Sequence, residues 1–146
     1  MQRLLFQEKT TIPKALKDYL KFRIQNLPNL TNYPDPNLKK KHGRMGKRAL
    51  KALAQELGLT EFNVNYNPSG IIDAGYVSLI GMLNKDIGIY ISISSTKLFS
   101  HSNILYRNIR HIKDYIGGPN NFISEEELLN SYDIALNKIK NVMQKR

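Results

Sequence analysis

Residues 87–94 read Ile87-Gly88-Ile89-Tyr90-Ile91-Ser92-Ile93-Ser94. Isoleucine takes every odd position, and glycine, tyrosine or serine every even one. Successive strand side chains point to opposite faces, so this alternation describes a strand with one buried and one wet face. A helix would scatter the four isoleucines around its circumference. The stretch decides for an antiparallel sheet covered on one side only.

The reading extends backwards. Asn84-Lys85-Asp86 is a hairpin connection to a second apolar strand over 76–83. Pro68-Ser69-Gly70 is a turn, preceded by Phe62, Val64 and Tyr66 alternating with Asn63, Asn65 and Asn67, a third half-buried strand. Three such strands in succession predict a β-meander. Forwards, Leu105, Ile109, Ile112 and Ile116 follow an i, i+4, i+7, i+11 spacing after Ser102-Asn103. That spacing predicts a helix ended by Gly117-Gly118-Pro119, the alternative being a fourth strand over 104–109. Ser124-Glu125-Glu126-Glu127 is a capping box opening one final helix, with Leu128, Tyr132, Ala135, Leu136, Ile139, Val142 and Met143 inward. Acids in its first turn suit the helix dipole and account for all three glutamates.

On the N-terminal side, Thr11 offers a cap and Leu16, Leu20, Ile24 and Leu27 a helical stripe, which Pro28 ends. Residues 29–37 hold two prolines and three asparagines and read as a loop. A second helix, with Leu50, Leu53, Ala54 and Leu57 on one face, is stopped by Gly58. The expected fold class is α+β: N-terminal basic helices, a three- to four-stranded antiparallel meander, and C-terminal helices packed on one face. Residues 1–38 are expected to form an N-terminal helix and linker acting as a mobile arm, and 39–146 a single core domain.

Composition bounds the function. With 146 residues the chain suits one domain, and 41% apolar content is enough for a core. It has no cysteine, which excludes disulfides, thiolate catalysis, zinc knuckles and iron–sulfur ligation. The residues after Met1 lack the apolar run of a signal peptide, and no stretch is long enough for a membrane span, so a cytoplasmic protein without a membrane partner is expected. The net charge is +10, and all of it resides in residues 1–51, where 13 Lys+Arg face Glu8, Asp18 and Asp35. Abundant Lys, Asn and Ile suit an A+T-rich gene, but codon bias does not explain why acids avoid this third of the chain. Such asymmetry points to a polyanionic partner.

Lys39, Lys40, Lys41, His42, Arg44, Lys47 and Arg48 carry the densest charge. With Arg44, Lys47 and Arg48 read as the start of the second helix and Lys39, Lys40 and Lys41 just upstream, the cations oppose the positive end of its dipole, at about 0.3–1 kcal/mol each. A phosphate bound over 39–51 would relieve that cost, with Gly43 and Gly46 admitting it close to the backbone. The stretch is not a P-loop: its glycines are too close together and Arg48 follows Lys47 where Ser or Thr is required. Ala54-Gln55-Glu56-Leu57-Gly58-Leu59-Thr60-Glu61-Phe62-Asn63-Val64 resembles the core of the helix-turn-helix family. That resemblance implies a second helix presenting Thr60, Glu61, Asn63 and Asn67 to the major groove. The alternation from Phe62 opposes it.

Arg107, Arg110 and Lys113 would line one face of the helix expected over 105–116 and form a second phosphate-contact group. With His111 they could also serve a metal-free nuclease. His42, His101 and His111 have no acid or second histidine at ligand spacing, and the aspartates are scattered, so no metal or cofactor is expected. Tyr90, on the wet face of its strand, could stack on an unpaired base. The expected function is a small non-enzymatic nucleic-acid-binding or nucleoprotein-associated protein, its partner DNA or RNA. The alternative is a phage- or plasmid-type inhibitor that docks on an acidic surface of a nucleic-acid-processing complex, and the third reading is the nuclease.

Overall fold

The alternating stretch forms the middle strand of a five-stranded antiparallel sheet. The structure is a computed structural model that describes residues 10–68, 71–95 and 102–145. The first nine residues of the expected arm, Ser69 and Gly70 of the turn, and His101 lie outside the described residues. The described elements are α1 (Lys14–Leu30), α2 (Pro36–Glu56), β1 (Glu61–Asn67), β2 (Tyr76–Met82), β3 (Gly88–Ser94), β4 (Ile104–Ile109), β5 (Asn121–Ile123), α3 (Glu125–Asn130) and α4 (Tyr132–Gln144). The strands are ordered β1-β2-β3-β4-β5, each paired antiparallel with its sequence neighbour. The fold is α+β, with helices before and after a meander.

Register puts one residue set on each face. Val64 pairs with Leu79, Leu79 with Ile91, and Ile91 with Tyr106. With Val77, Ile89, Ile93 and Ile104 they form the core face, packed with Leu16 and Leu20 of α1, Leu50 and Leu53 of α2, and Leu136 and Ile139 of α4. The opposite face carries Asn63, Asn65, Tyr76, Ser78, Ile80, Tyr90 and Arg107 and is partly exposed.

Several expectations change. Thr11 is no cap; α1 begins after Pro13 without a side-chain cap and runs through Pro28 to the buried Leu30, where Thr31 closes it by donating to the Leu27 carbonyl. Leu16, Tyr19, Leu20 and Leu30 are fully buried. At about 1.5–3 kcal/mol per buried large apolar side chain, α1 is held in the core, and residue 38 falls inside α2. The loop expected over 29–37 shrinks because Asp35 is an N-cap, its carboxylate accepting from the Leu38 N–H at 2.8 Å, with Pro36 at the first helical position. Residues 104–109 form β4, not a helix: a strand there pairs with β3 and β5 and puts Ile104 and Tyr106 into the core. The segment Glu61–Asn67 is β1 rather than a recognition helix, so the helix-turn-helix resemblance does not extend to structure. The expected final helix is two, α3 and α4, broken at Ser131, whose φ of −130° and ψ of 51° leave helical geometry.

Glycine fixes how closely α2 lies on the sheet. A Cβ at Gly46 would sit 2.6 Å from Val77 Cγ1 and 3.0 Å from Tyr19 Cζ, and one at Gly43 2.3 Å from the Tyr66 ring. These glycines admit protein side chains, not a ligand. Gly46→Ala should therefore lower the urea midpoint, by about 1–2 kcal/mol in stability, because overpacking outweighs the helix-propensity gain of about 1 kcal/mol. A raised midpoint would show that α2 has room to move outward.

Candidate nucleic-acid interface

The start of α2 at Pro36 relocates the basic cluster. Arg44, Lys47 and Arg48 lie two to three turns inside the helix, so the proposed anion site at a helix N-terminus does not exist in that form. A different arrangement replaces it. Lys40, Arg44, Lys47, Arg48 and Lys51 recur at helical spacing on one exposed face of α2. They line an open groove of about 410 Å³ whose remaining walls are Gly43 and Tyr66, and no acid borders it. Among the described residues none of the five takes part in an ion pair. Five of their mutual spacings are i,i+3 or i,i+4. Like charges so placed oppose the helix by about 0.2–0.5 kcal/mol per pair, or about 1–2.5 kcal/mol together at low salt. A polyanion along the groove would turn that repulsion into attraction.

The other expected residues divide. Lys39 is half-buried and Lys41 exposed, its ammonium 5.3 Å from the centre of the Phe22 ring. Arg107 stands on the open face of the sheet, with its guanidinium 4.3 Å from the centre of the Tyr90 ring and one N–H donated to the Tyr115 carbonyl. Arg110 and Lys113 are exposed in the segment after β4. They share no helix face with Arg107, and β4 lies three strands from β1, about 14 Å at ordinary strand spacing. The second group is therefore separate from the α2 groove. Lys51 ends the 39–51 stretch expected to hold phosphate without being among its named contacts; it continues the Lys47–Arg48 spacing along the exposed face of α2.

His42 is not a surface contact. It is completely buried, and its Nε2 lies 2.9 Å from both the Tyr19 hydroxyl and an Arg23 amino group. Arginine can only donate, so Nε2 accepts and Nδ1 carries the proton; among the described residues Nδ1 has no hydrogen-bond partner. Burial first, and the Arg23 charge second, push the imidazole down to about 3. Burial likewise pushes the Tyr19 phenol up to about 12. Arg23 is also fully buried, donating through Nε to Glu125 at the start of α3 and through another amino group to the Ser94 carbonyl at the end of β3. This cluster ties α1, α2, β3 and α3 together and orients the cationic helix. Glu125 thus does more than favour a helix start, whereas Ser124 caps as expected, accepting from the Glu127 N–H at 3.0 Å.

Among the described residues the groove is lined by cations and an aromatic ring and by no carboxylate, so its charge favours an anion. His111 is exposed and distant in the sheet order from α2, and among the described residues no three His, Asp or Glu side chains converge as a metal site. No described helix is long and apolar enough to cross a membrane. Comparison with protein-family models, curated proteins and solved structures finds no match for the chain.

Proposed function

We propose that the protein binds nucleic acid through the exposed face of α2, with Lys40, Arg44, Lys47, Arg48 and Lys51 on successive phosphates. The observation that carries this reading is a groove bordered by five cations and no acid. The confinement of the +10 charge to residues 1–51 supports it, since a solubility surface needs no such segregation. The face from Lys40 to Lys51 covers about 16 Å of helix at 1.5 Å per residue, long enough to follow a backbone rather than a single phosphate.

Salt titration tests the proposal. Five phosphate contacts give a slope of log affinity against log salt near −4.5 on duplex DNA and near −3.5 on a single strand. Lys47→Gln with Arg48→Gln should make that slope shallower by about 1.4–1.8 and weaken all sequences about equally. A slope near zero in the unaltered protein removes the reading. An unchanged slope in the double variant places the contacts elsewhere.

A further inference from the structure

The open face of the sheet holds a second depression, of about 490 Å³, lined by Asn65, Tyr76, Ser78, Tyr90, Arg107 and Tyr115 among others, with no acid in its wall. Tyr66 of the edge strand β1 borders both this depression and the α2 groove. The two sites lie on opposite faces of the sheet and adjoin at this edge strand, so that a chain passing over β1 reaches both. Register explains the hollow. Ser78 of β2 pairs with Ser92 of β3, and these small side chains lie between Tyr76, one row along, and the Ile80–Tyr90–Arg107 row on the other side.

Its aromatic groups are held in place. Tyr115 is 78% exposed, an unusual position for a large ring, yet its segment is well tied. The Asp114 carboxylate accepts from the N–H groups of Arg110 and Gly117, Gly118 N–H donates to the Asn108 carbonyl, and Arg107 donates to the Tyr115 carbonyl. Arg107 stacks on Tyr90, leaving its Nε without a hydrogen-bond partner among the described residues. Asn63 and Asn65 stand exposed on the edge strand β1, on the same face as Tyr90 and Arg107, each carrying both a donor and an acceptor.

We infer that this face takes unpaired bases of the same polynucleotide whose phosphates lie on α2, so that the protein prefers single strands to duplex. The inference rests on the phosphate reading of α2 and adds the base contacts. Charge complementarity selects the occupant: a depression with an arginine, four tyrosines and no acid matches a base-bearing anionic strand, because every base offers a π-face. A duplex cannot use it, since its bases are already stacked.

The test compares labelled 12-nucleotide oligothymidylate, oligouridylate, an abasic 12-mer and a hairpin duplex by fluorescence anisotropy. The two base-bearing single strands should bind roughly 5- to 100-fold more tightly than the abasic strand. Tyr115→Ala, at an exposed position where folding is not at risk, should weaken them at least about fivefold and leave the abasic strand unaffected. Lys47→Gln with Arg48→Gln should weaken all four. As the chain has no tryptophan, tyrosine emission should fall on binding the base-bearing strands and not the abasic one. Equal affinity for base-bearing and abasic strands, or an unchanged affinity in Tyr115→Ala, overturns the inference while leaving the phosphate site standing. Failure of every strand to bind with a salt slope removes the phosphate site itself.

Discussion

Glu125→Ala is expected to destabilise the protein by about 3–5 kcal/mol, a large share of the 5–15 kcal/mol typical of a domain. The reason is the charge left behind. Arg23 is wholly enclosed and its Nε donates to Glu125, so the truncation leaves a guanidinium without its counter-ion and far from water. Replacing both partners, Arg23→Met with Glu125→Leu, should recover most of the loss, because two apolar groups of similar volume avoid the desolvation cost of a buried ion pair. Urea denaturation of the single and double variants measures the difference. A Glu125→Ala protein within 1 kcal/mol of the parent would mean that Arg23 reaches water or another acceptor.

Acid sensitivity centred on His42 is the other large effect. The imidazole titrates near 3 in the folded protein and near 6.5 when unfolded. Between those values the unfolded chain binds the extra proton, so stability rises with pH there. The His42 contribution is fully present above about pH 6.5 and is lost as pH falls through the window to 3. At about 1.4 kcal/mol per unit the loss is about 2–3 kcal/mol at pH 4.5 and about 4–5 kcal/mol near pH 3. His42→Gln keeps an acceptor for Tyr19 and Arg23 and cannot titrate, so its stability curve should be flatter between pH 6.5 and 3. If parent and variant curves run parallel, the histidine is not buried in neutral form.

Both effects come from a cluster that sequence reading did not assemble. Arg23 and Glu125 are separated by 102 residues, and Arg23 and His42 by 19. No local spacing announces such a pairing. Each member also had a sufficient local explanation: Arg23 on a basic helix, His42 in a basic run, Glu125 beside an N-cap. Local sufficiency hid the long-range contact.

The α2 groove was half legible. Its residues stood out by charge, but their geometry depended on where the helix starts. Asp35-Pro36 is itself a helix-start signal, overridden by the surrounding asparagines and prolines that read as a loop. Starting the helix about eight residues too late turned a cationic flank into a cationic terminus. Leu105, Ile109, Ile112 and Ile116 misled in another way. Their spacing fits a helix, yet Ile104 and Tyr106 find partners on β3 and β5 only as a strand, and pairing between distant segments outweighs a local period.

What the chain determines locally is the alternation of β1 and β3, the Ser124 cap and the segregation of charge, since each follows from side-chain direction or composition over a few residues. These suffice for a one-sided antiparallel sheet with helices at both ends. Only tertiary structure decided that His42 lies inside while its neighbours Lys40, Lys41 and Arg44 face out, and that Arg107 joins the tyrosines rather than Arg110 and Lys113. The physical reason is that burial depends on what the rest of the chain brings alongside. A helix position faces protein or water according to the sheet beneath it, and that sheet is built from residues far away in sequence.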